Sequence, residues 1–121
     1  MKNAFFGTLA AAALLASAAT AQTEILNASY DLSREFYGEY NPVFEAYYKA
    51  KTGTDVKVKQ SNGGSSKQAR AVLDGLKADV ATFNQETDIQ LLVDGGLVNK
   101  NWKARLPHSA SPYRTNTVSV R

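Results

Sequence analysis

Hydrophobic and polar residues along this chain fall into short blocks whose spacing alternates between the strand period and the helix period. Glu24 to Tyr30 is a mostly apolar run closed by Asp31, and it reads as a short buried strand ending in a turn. Phe36, Tyr40, Val43, Phe44 and Tyr47 then recur at spacings of three and four, which predicts a helix. Tyr37, Tyr40, Tyr47 and Tyr48 share that spacing and are expected to be core or half-buried. Pro42 lies inside the pattern, so either a kink or two helices meeting near Asn41 is expected. Gly53 stops the pattern, and Thr54 to Gln60 alternates around Val56 and Val58 as a second strand. Ala69, Val72, Leu73 and Leu76 fall at i, i+3, i+4 and i+7, an amphipathic helix.

A third strand is predicted over Asp79 to Phe83. Ile89, Leu92 and Val93 mark a third helix, stopped by Gly95-Gly96. A short segment around Trp102 ends at Pro107, and Thr115 to Arg121 alternates as a late strand carrying Val118 and Val120. Strands alternating with helices predict an α/β fold, with a mostly parallel sheet and helices on both faces. No internal repeat or linker divides the chain, and the strand-like final segment has the look of a fold cut short.

The N-terminus changes this picture. Met1-Lys2-Asn3, the apolar run from Ala4 to Ala16 and the triplet Ala19-Thr20-Ala21 have the layout of a secretory signal cleaved after Ala21. A membrane anchor usually needs about 20 strongly apolar residues, and this run is broken by Gly7, Thr8 and Ser17. The expected mature part is therefore residues 22–121, one modest domain. It keeps 13 basic against 11 acidic residues once Lys2 is lost, a balance of +2. Charges of both signs are interspersed, which fits an anionic ligand but is far too weak for nucleic acid. With no cysteine, disulfides, thiolate metal sites and cysteine nucleophiles are excluded.

Candidate chemistry concentrates in Asn62-Gly63-Gly64-Ser65-Ser66-Lys67, between the second strand and its helix. Glycines let backbone approach a ligand closely, and the free N–H groups of a helix start favour an anion. Ser65 followed by Gln68 fits a capping box equally well, so cap and anion site stand level on composition. A P-loop is disfavoured, because Ser66 precedes Lys67 instead of following it. Asp31 also joins a strand to a helix. Its carboxylate would repel an anion, so a role must come from its backbone N–H while its side chain caps the helix. In a parallel sheet both loops reach the same edge, where ligands bind. His108 reads as a surface residue, and Asp74, Asp79, Asp88 and Asp94 are scattered. No serine has a base partner, so nothing demands an enzyme.

Several segments resemble one family. Ile25-Leu26-Asn27-Ala28-Ser29-Tyr30-Asp31 and Gln60 to Ala69 are similar to periplasmic sulfate- and thiosulfate-binding proteins. Gly75 to Val80 and Phe83 to Gln90 resemble the thiosulfate branch, and Asn101-Trp102, Arg105-Leu106-Pro107 and Ser111-Pro112-Tyr113 continue the match. The resemblance implies a monomeric solute-binding protein of an ABC transporter, working in the periplasm and delivering sulfate or thiosulfate to a membrane permease. It implies part of the first lobe of a two-lobed, type II binding protein. The dianion is held there by backbone N–H groups, helix N-termini and hydroxyls, without a metal or cofactor. The positions carried over are Asp31, through its backbone, and Ser65, with Gly64 and Ser66 beside it. The family usually has His where Asn62 stands, and Ser119 interrupts a normally more apolar strand. A second lobe would supply further donors, among them a serine-glycine loop and a tryptophan, and Trp102 is not that tryptophan. A piece that lacks this lobe and does not function is the alternative.

Overall fold

The computed structural model describes residues 22–111 and 116–120, and the expected signal segment lies outside them. Four strands, β1 (Thr23–Tyr30), β2 (Val56–Gly63), β3 (Val80–Phe83) and β4 (Asn116–Ser119), form one sheet in the order β2-β1-β3-β4. Among the described residues the helices of nine residues or more are α1 (Arg34–Thr52), α2 (Ser65–Leu73) and α3 (Glu86–Asp94). β1 pairs parallel with both β2 and β3, as the alternation predicted. β4 instead runs antiparallel to β3; among the described residues the segment between α3 and β4 holds only a 3-10 turn at Trp102–Ala104 and a four-residue helical turn at Pro107–Ala110, too short for a crossover helix.

The two sheet faces differ in chemistry. On one, Ala28, Ala81, Phe83 and Val118 meet Ala69 and Val72 of α2 and Ile89 and Leu92 of α3, forming the apolar core. Phe83, Ile89 and Leu92 are fully buried, each contributing about 1.5–3 kcal/mol by area. Trp102 joins the same cluster. A Cβ on Gly95 would come within 2.5 Å of the Leu73 side chain, so glycine there lets α2 and α3 approach.

The opposite face grades from apolar to polar along the strands. Ile25, Val56 and Val58 lie toward its N-terminal end, and Asn27, Ser29, Gln60, Asn62 and Thr82 toward its C-terminal end. Asn27, Ser29 and Thr82 are buried, so their polar atoms must be satisfied inside the protein. α1 covers this face and does part of that work. Tyr37 Oη lies 3.0 Å from Thr82 Oγ1, which donates to Asn27 Oδ1 at 3.2 Å. Glu45 of α1 accepts the Val58 N–H at 2.8 Å and pairs with Lys57, occupying part of the β2 edge.

The structure rules out two helices meeting near Asn41 and revises which face of α1 points inward. α1 is one continuous helix across Pro42. The proline costs one bond, to the Gly38 carbonyl, on a solvent-facing side where water takes it. Its inward stripe is Tyr37, Asn41, Phe44, Glu45 and Tyr48, while Phe36, Tyr40, Val43 and Tyr47 are 47–68% exposed. The polar end of the sheet selects the side chains that carry hydrogen-bonding groups. Gly53 ends the helix at φ 74°, a left-handed conformation that glycine takes without strain. A second left-handed stretch runs through His108, Ser109 and Ala110, at φ 55–58°.

Candidate functional site

β1 and β2 pair Tyr30 with Gly63 at their C-terminal ends. The next residues along each chain, Asp31 and Gly64, therefore lie side by side on one edge of the sheet. β1 leads through a 3-10 turn, Asp31–Ser33, into α1, and β2 leads through Gly64 into α2. Two helical starts thus lie at the same edge of the sheet, one on each face, and both expected loops end there.

At α2 the first intrahelical bond runs from Gln68 N to the Gly64 carbonyl at 2.9 Å. The Ser65, Ser66 and Lys67 N–H groups thus have no acceptor within the helix and lie at its positive end. The expected capping box does not form. Gly64 is the N-cap and no side chain caps the helix. Gln68 turns instead to β2, where its Oε1 accepts from Ser61 Oγ at 3.1 Å. The reason is local: the Gln68 side chain packs on Gly63, where a Cβ would come within 2.9 Å of its Nε2.

Ser65 is 7% exposed, and its Oγ is buried without a partner among the described residues. Ser66, one residue on, differs, for its Oγ donates to Asp88 Oδ1 at 2.9 Å. Ser66 can therefore offer an anion only its N–H. Gly64 has ordinary extended backbone, φ −60° and ψ 138°, and open space where a Cβ would stand. The glycine therefore supplies clearance, not an unusual turn.

Asp31 does not cap its helix. Its carboxylate pairs with Arg34 Nη2 at 2.6 Å, both side chains being more than half exposed. Ser33 Oγ donates to the Tyr30 carbonyl at 2.6 Å and fixes the turn. The Asp31 charge is thereby balanced in solvent, leaving its backbone N–H at the crevice. Lys67 and Arg70 are exposed.

Asp88 escaped the sequence reading, which took it for one of several scattered carboxylates. It is 6% exposed, in the first turn of α3 where the helix dipole favours a negative charge, and its Oδ2 has no partner among the described residues. Only a strand-end register brings it beside Ser66, and no local spacing signals that contact.

Comparison with known proteins places this chain in a family. A profile described as bacterial extracellular solute-binding protein matches residues 33–120. The chain is 52% identical to a thiosulfate-binding protein of Pseudomonas aeruginosa, covering 99% of this chain and 37% of that protein. It is 51% identical to a thiosulfate-binding protein of Escherichia coli, over 84% and 31%, and 43% identical to a sulfate-binding protein of Salmonella typhimurium, over 78% and 29%. Among solved structures, the sulfate-binding protein SubI of Mycobacterium tuberculosis H37Rv superposes with TM-score 0.62 at 34% identity, covering 69% of this chain and 28% of that one. The chain spans about a third of the length of these relatives. Sequence profile, relatives and fold agree: the chain belongs to the bacterial extracellular solute-binding proteins, with the α/β architecture of the type II periplasmic members.

Proposed function

We propose that this protein contributes one side of a sulfate- or thiosulfate-binding site in the uptake of that oxyanion. One observation carries the reading. Ser65 holds a buried, unpartnered hydroxyl at the start of α2, among free N–H groups and beside the Asp31 turn. An oxyanion placed there accepts from the Ser65 hydroxyl and N–H, the Ser66 N–H and the Asp31 N–H. Fixed donors of this kind solvate a dianion with little reorganisation and need no metal or cofactor. Gly64 gives the oxygen atoms room.

The wider setting follows from relatives that bind thiosulfate or sulfate. The protein acts in the periplasm, exported behind a cleaved segment of residues 1–21, and hands its ligand to the permease of an ABC transporter. It is a carrier and not an enzyme. The chain spans about a third of the length of those relatives, and these residues by themselves are expected to bind the oxyanion weakly.

Sulfate and thiosulfate titrations, followed by calorimetry and by backbone amide shifts, test the proposal with chloride as control. The expected result is shifts centred on Asp31, Ser65 and Ser66, with affinity weaker than micromolar. Absence of those shifts at saturating sulfate would defeat it. Micromolar binding would remove the need for a second lobe.

A further inference from the structure

The rim of the crevice holds one side chain that this reading leaves unused. Asn62 is the penultimate residue of β2 and stands in register with Ser29 of β1. Ser29 is fully buried, and its Oγ donates to Asn62 Oδ1 at 2.5 Å. From the row below, Gln60 Nε2 donates to the same Ser29 Oγ at 3.4 Å. The single hydrogen of that hydroxyl is thus committed to Asn62. Reversing the Asn62 amide by itself would leave that hydrogen facing two N–H donors in a place water does not reach, which a buried hydroxyl resists; the other acceptor nearby, the buried and unpartnered Gln60 Oε1, comes within its reach only if the Gln60 amide reverses as well.

This lock has a chemical consequence. A free asparagine presents an acceptor as readily as a donor, and a fully ionised oxyanion tolerates only donors. Here the oxygen is turned inward and held, and Nδ2 has no acceptor among the described residues. Asn62 lies on the α1 face of the sheet, one residue before the Tyr30–Gly63 pair and two before Gly64. That puts its two N–H groups on the same edge as the Asp31 turn and the start of α2.

We infer that Asn62 is a further anion-binding residue, whose Nδ2 donates to the oxyanion while Ser29 and Gln60 hold its Oδ1 away. The inference rests on the oxyanion reading of Asp31 and Ser65. It assigns Ser29 and Gln60, neither of which reaches the ligand, as positioning residues for that amide.

The test is a sulfate titration of the isotopically labelled protein, reading the Asn62 side-chain amide together with the Asp31 and Ser65 backbone amides. All three move along one binding curve if the inference holds. Asn62→Ala weakens sulfate about tenfold, the loss of one hydrogen bond to a charged acceptor. Asn62→Asp, which keeps the shape and adds a like charge, weakens it further. Ser29→Ala frees the amide to reverse and gives a smaller loss. Thermal unfolding of each variant keeps folding defects apart from binding defects, and the wild-type amide shift depends on no variant. If the Asp31 and Ser65 amides move while the Asn62 side chain does not, and Asn62→Ala binds within twofold of wild type, the inference is overturned and the site stands. If none of the three responds at saturating sulfate, both are overturned.

Discussion

Ser65 and Ser66 are neighbours with opposite energetic positions. The Ser65 hydroxyl is buried unmet, a state that costs about 1–3 kcal/mol until a ligand fills it. Ser65→Ala therefore raises the midpoint of thermal unfolding without ligand and lowers affinity for sulfate. Ser66→Ala works the other way. It strips the buried Asp88 carboxylate of its hydroxyl donor, so unliganded stability falls by about 1–3 kcal/mol. Parallel melting curves with and without sulfate separate the two, and equal shifts of one sign would contradict the assignment. Composition marked both serines as candidates and could not tell them apart. The difference arises from Asp88, 22 residues on, which reaches Ser66 only after α3 has packed beside α2.

Among the elements, α2 and α3 were legible because each presents one apolar face to one apolar sheet face. α1 was legible as a helix and not in its orientation. Its outward Phe36, Tyr40, Val43 and Tyr47 repeat as regularly as its inward Tyr37, Asn41, Phe44 and Tyr48, and only the polar partners in β1 and β3 decide between them. Alternation in β1 could have signalled this, since Asn27 and Ser29 interrupt what a strand buried on both faces usually keeps apolar. The left-handed stretch after Pro107 gave no signal, because His108, Ser109 and Ala110 are not the residues that favour it. Ser109 is exposed there at φ 56°. Ser109→Gly relieves that strain against a larger backbone entropy, for a net gain of about 0.5–1 kcal/mol measurable by chemical denaturation.

For the molecule as a whole, the exposed stripe on α1 is the main liability. Phe36 stacks on Tyr40 with centroids 5.4 Å apart, and the exposed Val43 and Tyr47 continue the stripe, so the face is contiguous and apolar rather than scattered. A contiguous face of this kind drives association. We expect sedimentation to show concentration-dependent self-association. The double substitution Phe36→Lys and Val43→Lys should reduce it while leaving the α2 start untouched, and unchanged sedimentation would locate the contact elsewhere.

The register that brings Tyr30 to Gly63 also orders events in time. Ser29 and Asn62 are 33 positions apart, whereas Asn27 and Thr82, whose contact stitches β3 to the other side of β1, are 55 apart. The shorter loop closes at lower entropic cost. The turns that follow β1 and β2 therefore belong to the parallel unit of strand, helix and strand whose ends meet first as the chain folds.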